Sequence, residues 1–115
     1  MSASVNSASG YRLVSALQSA IINSAAGGDL VIVAAVAGQS VRVYRLILFA
    51  ITASNITMKD GAGTSLTGAM TIGAGGSIQL PFDGEPWFTT TAGNSFIVNS
   101  SATVQVSGRA YFVQQ

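Results

Sequence analysis

Turn signals punctuate this chain at short, fairly even intervals, and that spacing constrains the fold more than any other feature. They fall at Gly27-Gly28, Gly38-Gln39, Ser54-Asn55, Asp60-Gly61, Gly73 to Gly76, Asp83-Gly84, Gly93-Asn94 and Ser100-Ser101. Breakers roughly 8–12 residues apart with β-rich stretches between them are the pattern of a sandwich or a barrel. The stretches have strand lengths. Leu30 to Val36 is a continuous apolar run, Val41 to Ile51 is long and β-branched, and Ile56 to Lys59 is short. Leu66 to Ile72, Ile78 to Phe82, Trp87 to Thr91, Phe96 to Asn99 and Thr103 to Val113 complete the set.

Period-two alternation assigns core faces within several of these segments. Ile78, Leu80 and Phe82 oppose Ser77, Gln79 and Pro81, and Leu66, Met70 and Ile72 share a face with Gly68 between them. In the last segment Val104, Val106, Gly108, Ala110 and Phe112 lie opposite Gln105, Ser107 and Arg109, as in a half-buried antiparallel strand. Pro81 removes a ladder donor, so its strand is an edge or stops there. Asp60-Gly61 and Gly75-Gly76 read as hairpin turns, where positive φ favours Gly.

Met1 to Gly10 holds Ser, Ala, Asn and Gly with one Val, which reads as an extended arm or a tail. Leu13, Val14, Leu17, Ala20 and Ile21 then fall at helical spacing, yet period two fits the same region. The preferred division is an arm over residues 1–16 and one β-domain over residues 17–115, with its first strand from about Leu17 to Asn23.

Hydrophobic residues make up 49% of the chain and charged residues 8%. That excludes the hydrophobic-poor, charge-rich composition of a disordered chain. Five basic and four acidic residues give a net charge of +1, which argues against nucleic acid as a partner. No Cys and no His are present, so disulfides, thiolate zinc sites and the usual general base are excluded. The longest wholly apolar run, Leu30 to Ala37, is far short of the ~20 residues of a spanning helix, so no membrane is expected as a partner. No basic region precedes an apolar stretch at the N-terminus, which fits synthesis in a cytoplasm. A surface so poor in charge is expected to hide part of itself in a homo-oligomer.

The acids are Asp29, Asp60, Asp83 and Glu85. Asp83 and Glu85 beside Trp87 form a carboxylate pair, but glycoside hydrolysis needs carboxyls on opposite sides of the bond, ~5–9.5 Å apart. Two carboxylates flanking one Gly in a turn read as solvated loop residues. "DGAGTSLTG" and "IGAGGS" lack the P-loop ending and the dinucleotide spacing. Catalytic residues, cofactors and metals are therefore not expected. Asn55-Ile56-Thr57 and Asn99-Ser100-Ser101 match glycosylation acceptors by chance in a chain without a secretory signal.

Arg42 and Arg45 break the pattern of their segment. In a regular strand Arg45 would share a face with Val41, Val43, Ile47 and Phe49, and Arg42 with Tyr44, Leu46 and Leu48. Three readings stand: a second face covered by a subunit, a β-bulge near Tyr44 that swings Arg45 outward, or a snorkelling surface Arg. Trp87 and Phe88 are either a platform for a sugar or partner, or include one ring that caps an end of the core.

Three stretches carry a family resemblance. "LVIVAAVAGQSVRVYRLILFA" (Leu30 to Ala50), "ITMKDGAGTSLTGAMTIGAGGSIQLPF" (Ile56 to Phe82) and "PWFTTTAGNSFIVNSSATVQVSGRAYFV" (Pro86 to Val113) resemble small structural proteins of tailed bacteriophages. The shared features are an Ala-Val-Ala-Gly turn into a Val-Arg-Val strand, a Leu-Thr-Gly, a Gly-Gly hairpin ending in Leu-Pro-Phe, and a closing Val-x-Gly strand.

The resemblance implies a jelly-roll β-sandwich of about eight antiparallel strands that trimerises on the virion as a capsid decoration (cement) protein. Its partners would be two further copies of itself and the major capsid protein, on the capsid exterior. Tyr11, Arg12 and Leu13 would anchor the arm, and Arg42, Arg45 and Trp87 are the remaining interface candidates. The alternative is a virion-displayed recognition module, a head-fibre or tail domain that binds a receptor or glycan.

Overall fold

A computed structural model describes residues 17–115. Tyr11, Arg12, Leu13 and the expected arm lie outside the described residues. Within them the chain is all-β. The strands are β1 (Gln18–Ser24), β2 (Gly28–Val33), β3 (Val41–Ala50), β4 (Ser54–Asp60), β5 (Thr64–Ser65), β6 (Met70–Ile72), β7 (Ser77–Leu80), β8 (Phe88–Thr89), β9 (Phe96–Ser100) and β10 (Val106–Gln114). They form two antiparallel five-stranded sheets. One runs β1-β10-β3-β7 with β8 also on β3; the other runs β2-β9-β4-β5 with β6 also on β4.

The chain therefore crosses between sheets at β1–β2, β2–β3 and β3–β4, returns at β6–β7, and crosses twice more to close with β10 between β1 and β3. This is the jelly-roll order, a double sheet of Greek-key connections. Ten strands stand where about eight were expected, β5 falling outside every expected segment, and several expected strands are shorter. Of Leu66 to Ile72 only β6 remains, β5 lies just before it, and Leu66 and Thr67 donate to Met58 O between the two. Trp87 to Thr91 keeps only the two residues of β8. The Leu30 to Val36 run ends at Val33, and Ala34 to Ala37 are exposed.

The core sits between the sheets. Ile22, Val41, Val43, Leu46, Leu48, Ala110 and Phe112 from the first sheet meet Val33, Ile56, Met58, Ile72, Phe96 and Val98 from the second. Phe96 is fully buried and stacks on Phe88 at 5.9 Å between ring centroids. Burying such a side chain stabilises the fold by about 1.5–3 kcal/mol. Of the aromatic pair at 87–88, Phe88 is the ring that caps the core.

Turn chemistry follows the sequence. Gly61 and Gly75 adopt φ of 65° and 72° in their turns, and β7 is an edge strand that stops before Pro81. Gly108 has a different reason to be Gly. A Cβ there would lie 1.8 Å from the Ile47 carbonyl oxygen, so β10 approaches β3 more closely than any side chain permits.

Two bulges adjust the faces. In β3, Arg45 pairs with Tyr111 and Val43 with Phe112, which leaves Tyr44 as the extra residue. Val41 and Val43 face the core before the bulge; Leu46, Leu48 and Ala50 do so after it. In β2, Val31 pairs with Ile97 and Val33 with Phe96, and Ile32 is extra.

Candidate functional site

The bulge at Tyr44 decides what the outer face of the first sheet carries. It turns Arg45, Ile47 and Phe49 outward together, so the regular-strand grouping of Arg45 with Val41 and Val43 does not hold. Tyr44 itself is buried, its ring tilted against Phe82 at 6.0 Å.

Register then builds the face row by row. Ser19, Tyr111 and Arg45 form one row across β1, β10 and β3. Ile21, Arg109, Ile47 and Gln79 form the next, extended to β7. Asn23, Ser107, Phe49 and Ser77 form the third. Ile21 is 66% exposed, Phe49 43%, and Ile51, just past β3, 64%. These side chains leave apolar area in solvent on this side of the sandwich, of the kind a protein contact would cover.

The cations on this face are held in place by neutral partners. The Arg45 guanidinium carbon lies 5.3 Å from the centre of the Tyr111 ring, in cation–π contact. Arg109 donates from Nη1 to Ser19 Oγ at 3.0 Å. Of the chain's four acids none lies here: Asp29 is in β2, Asp60 ends β4, and Asp83 and Glu85 are in the loop after β7.

At the β7 edge the face opens into a groove of about 500 Å³ lined by Arg45, Ile47, Gln79, Pro81 and Phe82 among others. Trp87, in the next loop, is tied to the Pro81 rim of this groove. Its backbone N–H donates to Val43 O at 2.7 Å, and its indole Nε1 donates to Pro81 O at 2.7 Å. The indole face stays 41% exposed, beside Phe82 at 40%. The structure thus brings Arg45 and Trp87 to the same Pro81-Phe82 segment. Arg42 is placed apart, half-buried beyond the bulge, opposite Thr89 on one side and Val113 on the other.

The other sheet presents a different surface. Lys59 Nζ meets Asp29 at 3.1 Å, and Asn99 Nδ2 donates to the same carboxylate at 2.7 Å. The Asn99 hydrogen bond, with that of Lys59, holds the Asp29 carboxyl below its ordinary value. That charge pair is internally satisfied.

One acid that reads from the sequence as a hairpin-turn residue does more than turn the chain. Asp60 is 8% exposed and accepts from Thr91 N at 3.0 and 3.1 Å, Thr91 Oγ1 at 2.8 Å and Asn94 Nδ2 at 3.0 Å. Burial pushes this carboxyl up, but the hydrogen bonds from Asn94 and Thr91 outweigh it and hold the group below its ordinary value. Asp60 ties the β4–β5 turn to the loop before β9. The signal was the continuation of the Ile56, Met58 alternation, which places residue 60 on the core face.

Among the described residues no three His, Cys, Asp or Glu side chains come together. What this surface offers chemically is burial of apolar area around two fixed cations. Compared with known proteins, the chain matches no family model, no curated protein and no solved structure.

Proposed function

We propose that this protein is a structural virion component, a trimeric decoration protein that binds the outside of a bacteriophage capsid and stabilises it. The observation that carries the reading is the outer face of the first sheet, where Ile21, Ile47, Phe49 and Tyr111 surround Arg45 and Arg109 without a carboxylate. A face of this kind is suited to protein contact, and the jelly-roll order supports the sequence resemblance without deciding the role. Mass action supplies the mechanism: a protein that binds only the assembled shell stabilises it. Three linked copies that touch several capsid subunits gain further from avidity.

The test is sedimentation with phage heads. The protein is expected to pellet with assembled shells and not with free capsid subunits, as a species of three times 11.7 kDa. Deleting residues 1–16 is expected to weaken pelleting while leaving the trimer folded. Equal binding to shells and free subunits would refute a shell-specific clamp.

A second reading has its own observation in the exposed Trp87 and Phe82 rings next to Asp83 and Glu85. A glycan-recognition module would use those rings as a platform. Quenching or enhancement of Trp87 fluorescence by host glycans would favour it over the decoration role.

A further inference from the structure

We infer that copies of this chain associate head to tail, with the Asp83-Gly84-Glu85 loop of one copy seated on the Arg45 and Arg109 face of the next. The inference deepens the trimer reading by naming the surfaces that meet, and it rests on that reading.

Charge arithmetic selects the occupant. Across the whole chain there are four carboxylate side chains. Asp29 is engaged by Lys59 and Asn99, and Asp60 is buried under Thr91 and Asn94. Asp83 and Glu85 are both exposed, and neither lies within ion-pair distance of a cation among the described residues. Asp83 Oδ1 accepts from Glu85 N at 3.1 Å, and Gly84 takes a φ of 95°, so the two carboxylates are held on one tight turn. The cation side is equally prearranged. Arg45 and Arg109 stand on adjacent strands in neighbouring rows, a diagonal pair about 7–8 Å apart. Their ring and hydroxyl contacts leave guanidinium donors for carboxylates, the geometry Arg binds best.

Symmetry follows from the same arithmetic. A two-fold contact centred on this face, with the acidic loops left outside it, would bring four guanidinium groups together, and like charges set opposite each other repel. Contact between the face and a different patch of the next copy is heterologous, and a heterologous contact closes into a ring when its rotation permits. The apolar residues Ile21, Ile47 and Phe49 lie between and beside the cations, so the same contact removes them from water.

Charge reversal tests it by light scattering on a sizing column, with circular dichroism to establish folding. Wild type is expected at three times 11.7 kDa. R45E/R109E and D83R/E85R are each expected to fall to the mass of one chain, and the quadruple variant to recover the trimer. If both reversals stay trimeric, or the quadruple variant fails to reassemble, the contact is overturned while the trimer reading stands. A wild-type monomer overturns both. Wild type is also expected to dissociate at a higher protein concentration in 1 M NaCl than in 0.05 M, because salt screens exposed pairs. A mass indifferent to salt counts against the contact even if a reversal variant does not fold.

Discussion

Asp60 is the residue on which two loops depend. It offers a buried carboxylate to a backbone N–H, a hydroxyl and an amide, and hydrogen bonds to a charged group are worth about 1.5–3 kcal/mol. Asp60→Ala is expected to lower unfolding free energy by about 2 kcal/mol in urea titrations, the donors then being left without their acceptor. The same residue sets an acid limit. Its folded-state value lies below the unfolded value of 3.8, so its contribution is full above that pH and is lost as pH falls through the folded value. Melting temperature is expected to drop below pH 4 in wild type, and to drop less steeply in Asp60→Ala. Gly108 is constrained by a collision instead. Gly108→Ala places a methyl 1.8 Å from Ile47 O and is expected to cost about 3 kcal/mol or more, measured by the same titration.

At the scale of the strand, β3 joins two period-two runs that are one residue out of phase. Deleting Tyr44 would remove the extra residue and leave Val41, Val43, Leu46, Leu48 and Ala50 on one face. Such a variant is expected to fold, losing the packing of Tyr44 on Phe82. Deleting Ile47 would instead turn one half of the strand inside out, because a one-residue slip reverses every side chain. That variant is expected to be insoluble or unfolded by circular dichroism. The contrast separates a bulge that corrects phase from a strand that tolerates any shortening.

The phase break explains what could be read in advance. Turns at Gly61 and Gly75, the stop at Pro81 and the alternation of β7 and β10 are written in local residue types, so they were legible. A bulge depends on the partner strand, so only the pairing of Arg45 with Tyr111 shows that the strand bulges at Tyr44 and turns Arg45 outward. Asp60 depends on Thr91 and Asn94, more than thirty residues away, and no local pattern reports that distance. The shortening of Leu66 to Ile72 to β6 alone has the same origin. Leu66 and Thr67 spend their N–H groups on Met58, outside a continuous ladder.

For the molecule as a whole, the absence of His leaves no side chain of ordinary value between the carboxylates and the high-pH groups. Stability is expected to be flat from pH 5 to pH 8, checked by differential scanning calorimetry across that range. A midpoint that moves by more than a few degrees there would point to a group whose titration the fold has displaced. A flat response would suit the capsid-bound role proposed above.

The place of β10 has a consequence for how the protein is made. It is the last strand of the jelly roll, yet it sits between β1 and β3 and supplies the pairing of both. β3 can pair with β7 and β8 as they emerge, but β1 has nothing to bond until β10 follows, so the first sheet closes only after translation has passed Gln114. Pairing across so long a stretch of sequence is slow by nature. A nascent chain cut short anywhere before Val106 leaves β1 unpaired and β3 with an open edge, and has no finished outer face. Only full translation of the domain yields a closed first sheet, which makes completion of synthesis its own proofreading step.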